Sequence, residues 1–165
     1  MTMTLPEILI ASDEGFAPYG ALIRHAGGAG RSYADLATAD MASETRPRLW
    51  TVHRAPDPGG VALTGLERHP LSAQSFLPLG AVTLLAAVCP TLPDGGPDLA
   101  AMQAFILPPG TGISYRRGTW HHGLISLDAP CDIAVFMGCK SADEDTELFV
   151  LPERIDFPAG DIPRR

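Results

Sequence analysis

The sequence predicts an all-β fold, and three observations carry that prediction. Glycine and proline number 17 and 16 of the 165 residues, about twice their combined ordinary usage. Hydrophobic residues make up 45 % of the chain, so these breakers punctuate a well-stocked core and do not mark disorder. Between them lie about nine or ten short apolar or alternating runs and almost no amphipathic helix, a pattern that closes or sandwiches antiparallel sheets. A chain of 165 residues is expected to make one domain, 1–165, with a core that needs no disulfide or structural metal.

In chain order, 5–11 reads as the first strand, and Ser12 opens a short turn or helix through Glu14 and Phe16. Residues 20–23 form the next strand. The loop 25–31 is glycine-rich, but no strand feeds it and no Lys-Ser/Thr helix start follows, so it is no phosphate loop. Strand 48–54 places Arg48, Trp50, Val52 and Arg54 on one face and Leu49, Thr51 and His53 on the other. Residues 56–60 end it, and 61–69 is a strand that 70–73 turns back into 74–77. Residues 81–89 are apolar on both faces, which marks a central strand. A loop at 93–97 and one helical turn at 98–102 precede strands at 104–107, 112–116, 124–127 and 132–137. A last strand or strand–helix covers 146–151, and the tail from about 152 is expected at the surface. The acidic run 143–145 reads as a solvated loop.

The formal charge of −7 opposes general affinity for nucleic acid or an anionic membrane. A few arginines can still hold a small anionic substrate. Cys89, Cys131 and Cys139 are odd in number and form no CxxC, which predicts free thiols and a reducing cytoplasm. The first sixteen residues contain no Lys or Arg and do not read as a signal peptide. The uncharged stretch 71–92 is broken by Gln74, Pro78, Gly80 and Pro90, and reads as a buried strand, not a membrane span.

The residues able to do chemistry gather in two segments. Glu67 and His69 are two apart in a strand and so share a face; Gln74 follows after a short turn. Gly118 precedes His121 by three, with His122 beside it pointing the other way in extended chain. His25 and His53 read as structural or surface residues, and Trp50 and Trp120 as packing residues of the kind favoured at interfaces.

The two segments resemble the paired metal motifs of the cupin barrels, with Glu67 in place of the first His and Gln74 in place of the Glu. The words HRAPD at 53–57, LERHPLSAQSFLPL at 66–79 and AFILPPGTGISYRRGTWHHGL at 104–124 resemble the ureidoglycolate lyases; FAPYG at 16–20 and RSYADLA at 31–37 add to this. The resemblance spans roughly 14–150. It implies a cupin-like (RmlC-like) antiparallel jelly-roll β-barrel with one or two short helices, and cleavage of ureidoglycolate to glyoxylate and urea in purine breakdown. It implies His69, His121 and His122 as catalytic candidates, and Arg54, Arg117, Tyr115 and Gln74 as substrate-binding candidates. Glu67, His69, Gln74 and His121 are the ligand set for one divalent ion, nickel, zinc or manganese, if a metal is bound. A homodimer is expected, because such folds leave sheet edges and apolar faces that a second copy covers.

The chain departs from the family pattern at Ala34, where a His is usual, at Arg116, at Gly123, and at 137–140, where Met-Gly-Cys-Lys stands in place of Asp-Arg-Gly-Gly. These changes keep two other readings open: a metal-dependent cupin enzyme (isomerase or dioxygenase type) acting on another small oxygenated acid, and a non-catalytic cupin-like binding module.

Overall fold

The computed structural model describes residues 5–141, 145–157 and 162. Its strands are β1 (Glu7–Ile10), β2 (Gly20–Ile23), β3 (Arg46–Arg54), β4 (Val61–Arg68), β5 (Gln74–Pro78), β6 (Leu84–Cys89), β7 (Gln103–Leu107), β8 (Gly112–Tyr115), β9 (Trp120–His121), β10 (Ile125–Ser126), β11 (Cys131–Cys139) and β12 (Glu147–Phe157). Two short helices, α1 (Asp13–Phe16) and α2 (Leu36–Ala39), and a 3-10 turn at Leu99–Ala101 complete the element order. The prediction of a mostly β chain with one or two short helices holds. Ser12 opens α1 as read, its side chain accepting from Gly15 N–H at 3.0 Å.

A seven-stranded sheet runs β1-β7-β6-β9-β4-β12, with β10 on β6, and a five-stranded sheet runs β2-β8-β5-β11-β3. The expected closed barrel is not formed: among the described residues no strand pairing joins the two sheets. Nor is the pairing purely antiparallel, since β1 runs parallel to β7.

Strand β6 is buried along its whole length, as its unbroken apolar run requires. Its alternate residues serve two cores. Leu84, Ala86 and Val88 pack with Phe16, Phe76, Phe105, Ile113 and Val135, while Leu85, Ala87 and Cys89 pack with Leu63, Trp120, Ile155 and Phe157.

Two expectations need correction. The tail from 152 is not peripheral as far as Phe157, because β12 continues to that residue, pairs with β4, and buries Leu151, Ile155 and Phe157. Pro152 is tolerated there because the register shifts between Val150 and Ile155, where no ladder hydrogen bond is needed. The acidic run is not simply a solvated loop: Asp145 is buried and takes backbone N–H groups of Lys140 and Ser141, while Asp143 and Glu144 lie outside the described residues.

Candidate active site

The site begins with a change of alternation in β4. Val61 and Leu63 face the second core, and so does Leu66, so the facing parity flips between 63 and 66. The flip coincides with Gly65 and with the shifted register against β12, a bulge-like irregularity that re-aims side chains. Beyond it Arg68 turns outward, its guanidinium 4.6 Å over the Trp120 ring and bonded to Glu147. Glu67 and His69 turn into a cavity of about 610 Å³ between the sheets.

Strand β9 sets His121 opposite Glu67, and Gln74 on β5 approaches from the other sheet. Gly118, with φ 77°, makes the left-handed turn into β9, and its N–H donates to His69 O at 2.9 Å. The Glu67 carboxylate lies 3.9 Å from His69 Nε2 and 3.5 Å from His121 Nε2. The two rings are 5.4 Å apart at their centroids. Each imidazole is fixed from behind: His69 Nδ1 donates to Asp145 O at 2.9 Å, and His121 Nδ1 to Thr119 O at 2.8 Å. Both Nε2 atoms therefore present lone pairs to the centre in the neutral state. Tyr115 stacks on His121, with centroids 4.1 Å apart and planes at 21°.

Burial and charge pull the groups in different directions. Contacts with His121 and His69 hold the Glu67 carboxyl far below its usual range, against the opposing effect of burial. Burial lowers the His121 pKa, and Glu67 only partly opposes this. Burial, helped by the Glu67 charge, raises the Tyr115 phenol well above its usual value.

The arrangement gathers acceptor atoms at its centre. His121 Nε2 faces Gln74 Oε1 at 3.0 Å, lone pair to lone pair when the imidazole is neutral. His69 Nε2 is buried with no hydrogen-bond partner. Donor atoms of Glu67, His69 and His121 all lie within 4.8 Å of one another. Two imidazoles and a carboxylate converging with an open side suit a divalent first-row ion, so the residues present are compatible with a metal site.

The structure thus brings together Glu67, His69, Gln74, Tyr115 and His121. Of these, Glu67, His69 and Gln74 line the cavity, and Tyr115 and His121 are buried beside it; Arg54 lines it too, but its Nε donates to Leu124 O at 3.2 Å and its Nη1 to His53 O at 3.0 Å. Arg117 lines no part of it: its Nε donates to Pro70 O at 2.6 Å and its backbone N–H to Asp40. His122 is likewise outside, half-buried, with Nδ1 at 2.8 Å from Gly123 O. Trp50, expected only to pack, is partly exposed and lines the cavity, as do Arg46, Arg48 and Met137. The alternation of 48–54 already put Arg48 and Trp50 on the Arg54 face; only the sheet order was missing. A second cavity, of about 670 Å³, is lined by Ile10, Val61, Ile106, Leu127, Asp57 and Asp128 and holds neither a histidine nor a cationic side chain.

The family model for ureidoglycolate lyase matches residues 3–157. The chain belongs to the ureidoglycolate lyase family. A ureidoglycolate lyase of Burkholderia cepacia is 40 % identical over 131 residues, 74 % of this chain and 73 % of that one. Another, of Escherichia coli O1:K1, is 34 % identical over 158 residues, covering 90 % and 95 %. The ureidoglycolate lyase of Schizosaccharomyces pombe is 28 % identical, covering 81 % and 84 %. Among solved structures, a dTDP sugar isomerase from Desulfovibrio desulfuricans G20 overlaps 64 % of each chain at 14 % identity with a TM-score of 0.45, too slight an overlap to argue from. Among the described residues no helix is long and apolar enough to cross a membrane.

Proposed function

We propose that the protein is a ureidoglycolate lyase that eliminates urea from ureidoglycolate to give glyoxylate. The observation that carries the reading is the Glu67–His69–His121 cluster in a chain of this family, with Glu67 and His69 lining a cavity and His121 buried beside them.

The substrate carbon bears a carboxylate, a hydroxyl and a ureido nitrogen. A base takes the hydroxyl proton, the C=O bond forms as the C–N bond breaks, and the protonated base returns that proton to the leaving nitrogen. No water is consumed. We assign the proton to His121 Nε2, whose neutral state burial favours, and which can therefore accept it. Glu67 beside it stabilises the imidazolium that results. His69 Nε2 and Gln74 orient the substrate oxygen, and Tyr115 holds the His121 ring by stacking. Positioned proton transfer of this kind supplies about 10²–10⁴-fold. A divalent ion such as nickel, zinc or manganese, held by Glu67, His69 and His121 with Gln74 alongside, would supply Lewis-acid polarisation of that oxygen when bound. One nitrogen cannot be ligand and base at once. Activity that survives exhaustive chelation assigns His121 the proton; activity that requires an added ion assigns it the ligand role.

The assay follows glyoxylate from racemic ureidoglycolate, with and without added nickel, zinc or manganese. Release above the spontaneous rate is expected. Its absence under every condition would move the reading to another small oxygenated acid or to a binding module.

The same reading places the enzyme in the cytoplasm as a single domain and a homodimer. An uncharged, partly exposed patch on the five-stranded sheet supports the dimer: Leu49 and Leu77 are exposed there, with Thr51, Ala134 and Phe136 between them. Light scattering should give twice the 17.5 kDa chain mass; the monomer mass would refute it.

A further inference from the structure

We infer that Arg48 is the residue that receives the substrate carboxylate, an inference that rests on the lyase reading above. The cross-strand register places Arg48 on β3 opposite Met137 on β11, Met137 opposite Gln74 on β5, and Gln74 opposite Tyr115 on β8. Directly paired residues share a face. Arg48 therefore stands in the same row as Gln74, which touches His121, with Met137 as the floor between them. At about 4.8 Å per strand its backbone is roughly 10 Å from that of Gln74. An arginine side chain covers much of that span, and Arg48 lines the cavity.

Charge selects this side of the cavity. The Glu67 carboxyl group lines the opposite side of the cavity, a poor neighbour for a second carboxylate, so that end of the substrate is better placed toward β3. Of the two acidic residues in the cavity wall, the other, Asp145, is occupied by backbone N–H groups. The wall carries four cationic side chains, Arg46, Arg48, Arg54 and Lys140, in a chain whose formal charge is −7. A cleft of sign opposite to the whole molecule concentrates anions where the surface otherwise repels them.

Among the four, the candidates separate by what already holds them. Arg54 gives Nε and Nη1 to backbone carbonyls, and Lys140 has an interaction of its own. Among the described residues the side chains of Arg46 and Arg48 make no hydrogen bond or ion pair, and the Arg48 charge acts only on the nearby Cys139 thiol. Arg46 sits one step further along the strand face, opposite Cys139 and away from Gln74. Arg48 alone combines a guanidinium fork free to bind two oxygens with a place in the Gln74 row.

The test uses the full-length protein. Arg48→Ala, Arg48→Lys and, as a surface charge control, Arg31→Ala are compared for ureidoglycolate kinetics and for glyoxylate binding read from Trp50 emission. Trp50 lies on the Arg48 face and lines the cavity, whereas Trp120 does not. Arg48→Ala should raise KM and the glyoxylate Kd together by about ten- to a hundredfold, the range for losing a charge-assisted hydrogen bond. It should leave kcat within a few-fold. Arg48→Lys should fall between, because it keeps the charge and loses the fork. Arg31→Ala should match the parent. A glyoxylate Kd within twofold of the parent in Arg48→Ala, or an equal loss in Arg31→Ala, overturns the assignment. A parent protein that binds glyoxylate through Arg48 but does not cleave ureidoglycolate sinks the lyase reading and leaves the carboxylate site standing. A parent that binds no glyoxylate sinks the inference outright.

Discussion

His121 is the most constrained side chain of the site. It is buried, backed by a carbonyl, stacked on Tyr115, and faced by Glu67 and Gln74. Replacing it by Ala should lower kcat at least a hundredfold, the lower range for a positioned proton-transfer group; full activity in both His121→Ala and His69→Ala would remove both from the mechanism. Its burial also has a pH signature. His121 titrates below 6.5 in the fold, so it contributes stability that is complete above that value and is lost as pH falls through its folded pKa. Glu67, depressed from 4.5, adds a second loss in the same direction at lower pH. The melting temperature of chelator-treated protein should be flat from about pH 7 to 8, fall below about 6.5, and fall again below about 4.5. His121→Phe, which keeps a ring against Tyr115, should abolish the first fall and shrink the second, because His121 is the larger of the contacts that hold the Glu67 carboxyl low. Much of this residue-level picture was legible in the sequence, because i, i+2 spacing and the Gly118 turn are local. The position of Arg117 is not legible in its own segment, because it depends on Pro70 and Asp40, to which it is bonded.

At the scale of elements, strand order and close approach decide what the spacing could not. The alternation of β3 was read correctly, but its nearness to Gln74 depends on β11 lying between β3 and β5, a pairing between distant segments. The sequence alone does not carry β12 past 151, because the register shift that accommodates Pro152 is a property of two strands together. Glycines show the same limit. A Cβ on Gly20 would sit 1.9 Å from the carbonyl oxygen of Ser114, which is backbone and cannot step aside. On Gly138, one of the departures from the family pattern, it would meet the side chains of Thr45 at 2.5 Å and Met41 at 2.7 Å, which can partly move. Gly20→Ala should therefore destabilise by about 1–3 kcal/mol or more and Gly138→Ala by less, in chemical denaturation with unchanged m-value. Equal losses would mean that β2 shifts as easily as a side chain does.

For the molecule as a whole, the sheet topology joins segments far apart in sequence, and so does the site. His69 takes its orientation from the carbonyl of Asp145, 76 residues away, and the Gly138 N–H reaches Ser72 across 66. Chains dominated by such non-local pairing fold slowly, because loop closure is unfavourable until the partners meet. A chain emerging from synthesis carries Glu67, His69 and His121 well before it carries the backbone that fixes His69. Equilibrium unfolding should show catalytic activity and near-ultraviolet dichroism lost at one denaturant midpoint, not activity first. Coincident curves would mean that the imidazole anchor and the packed core are lost as one cooperative unit, so that a nascent chain ending before Asp145 holds its histidines without the carbonyl that orients His69.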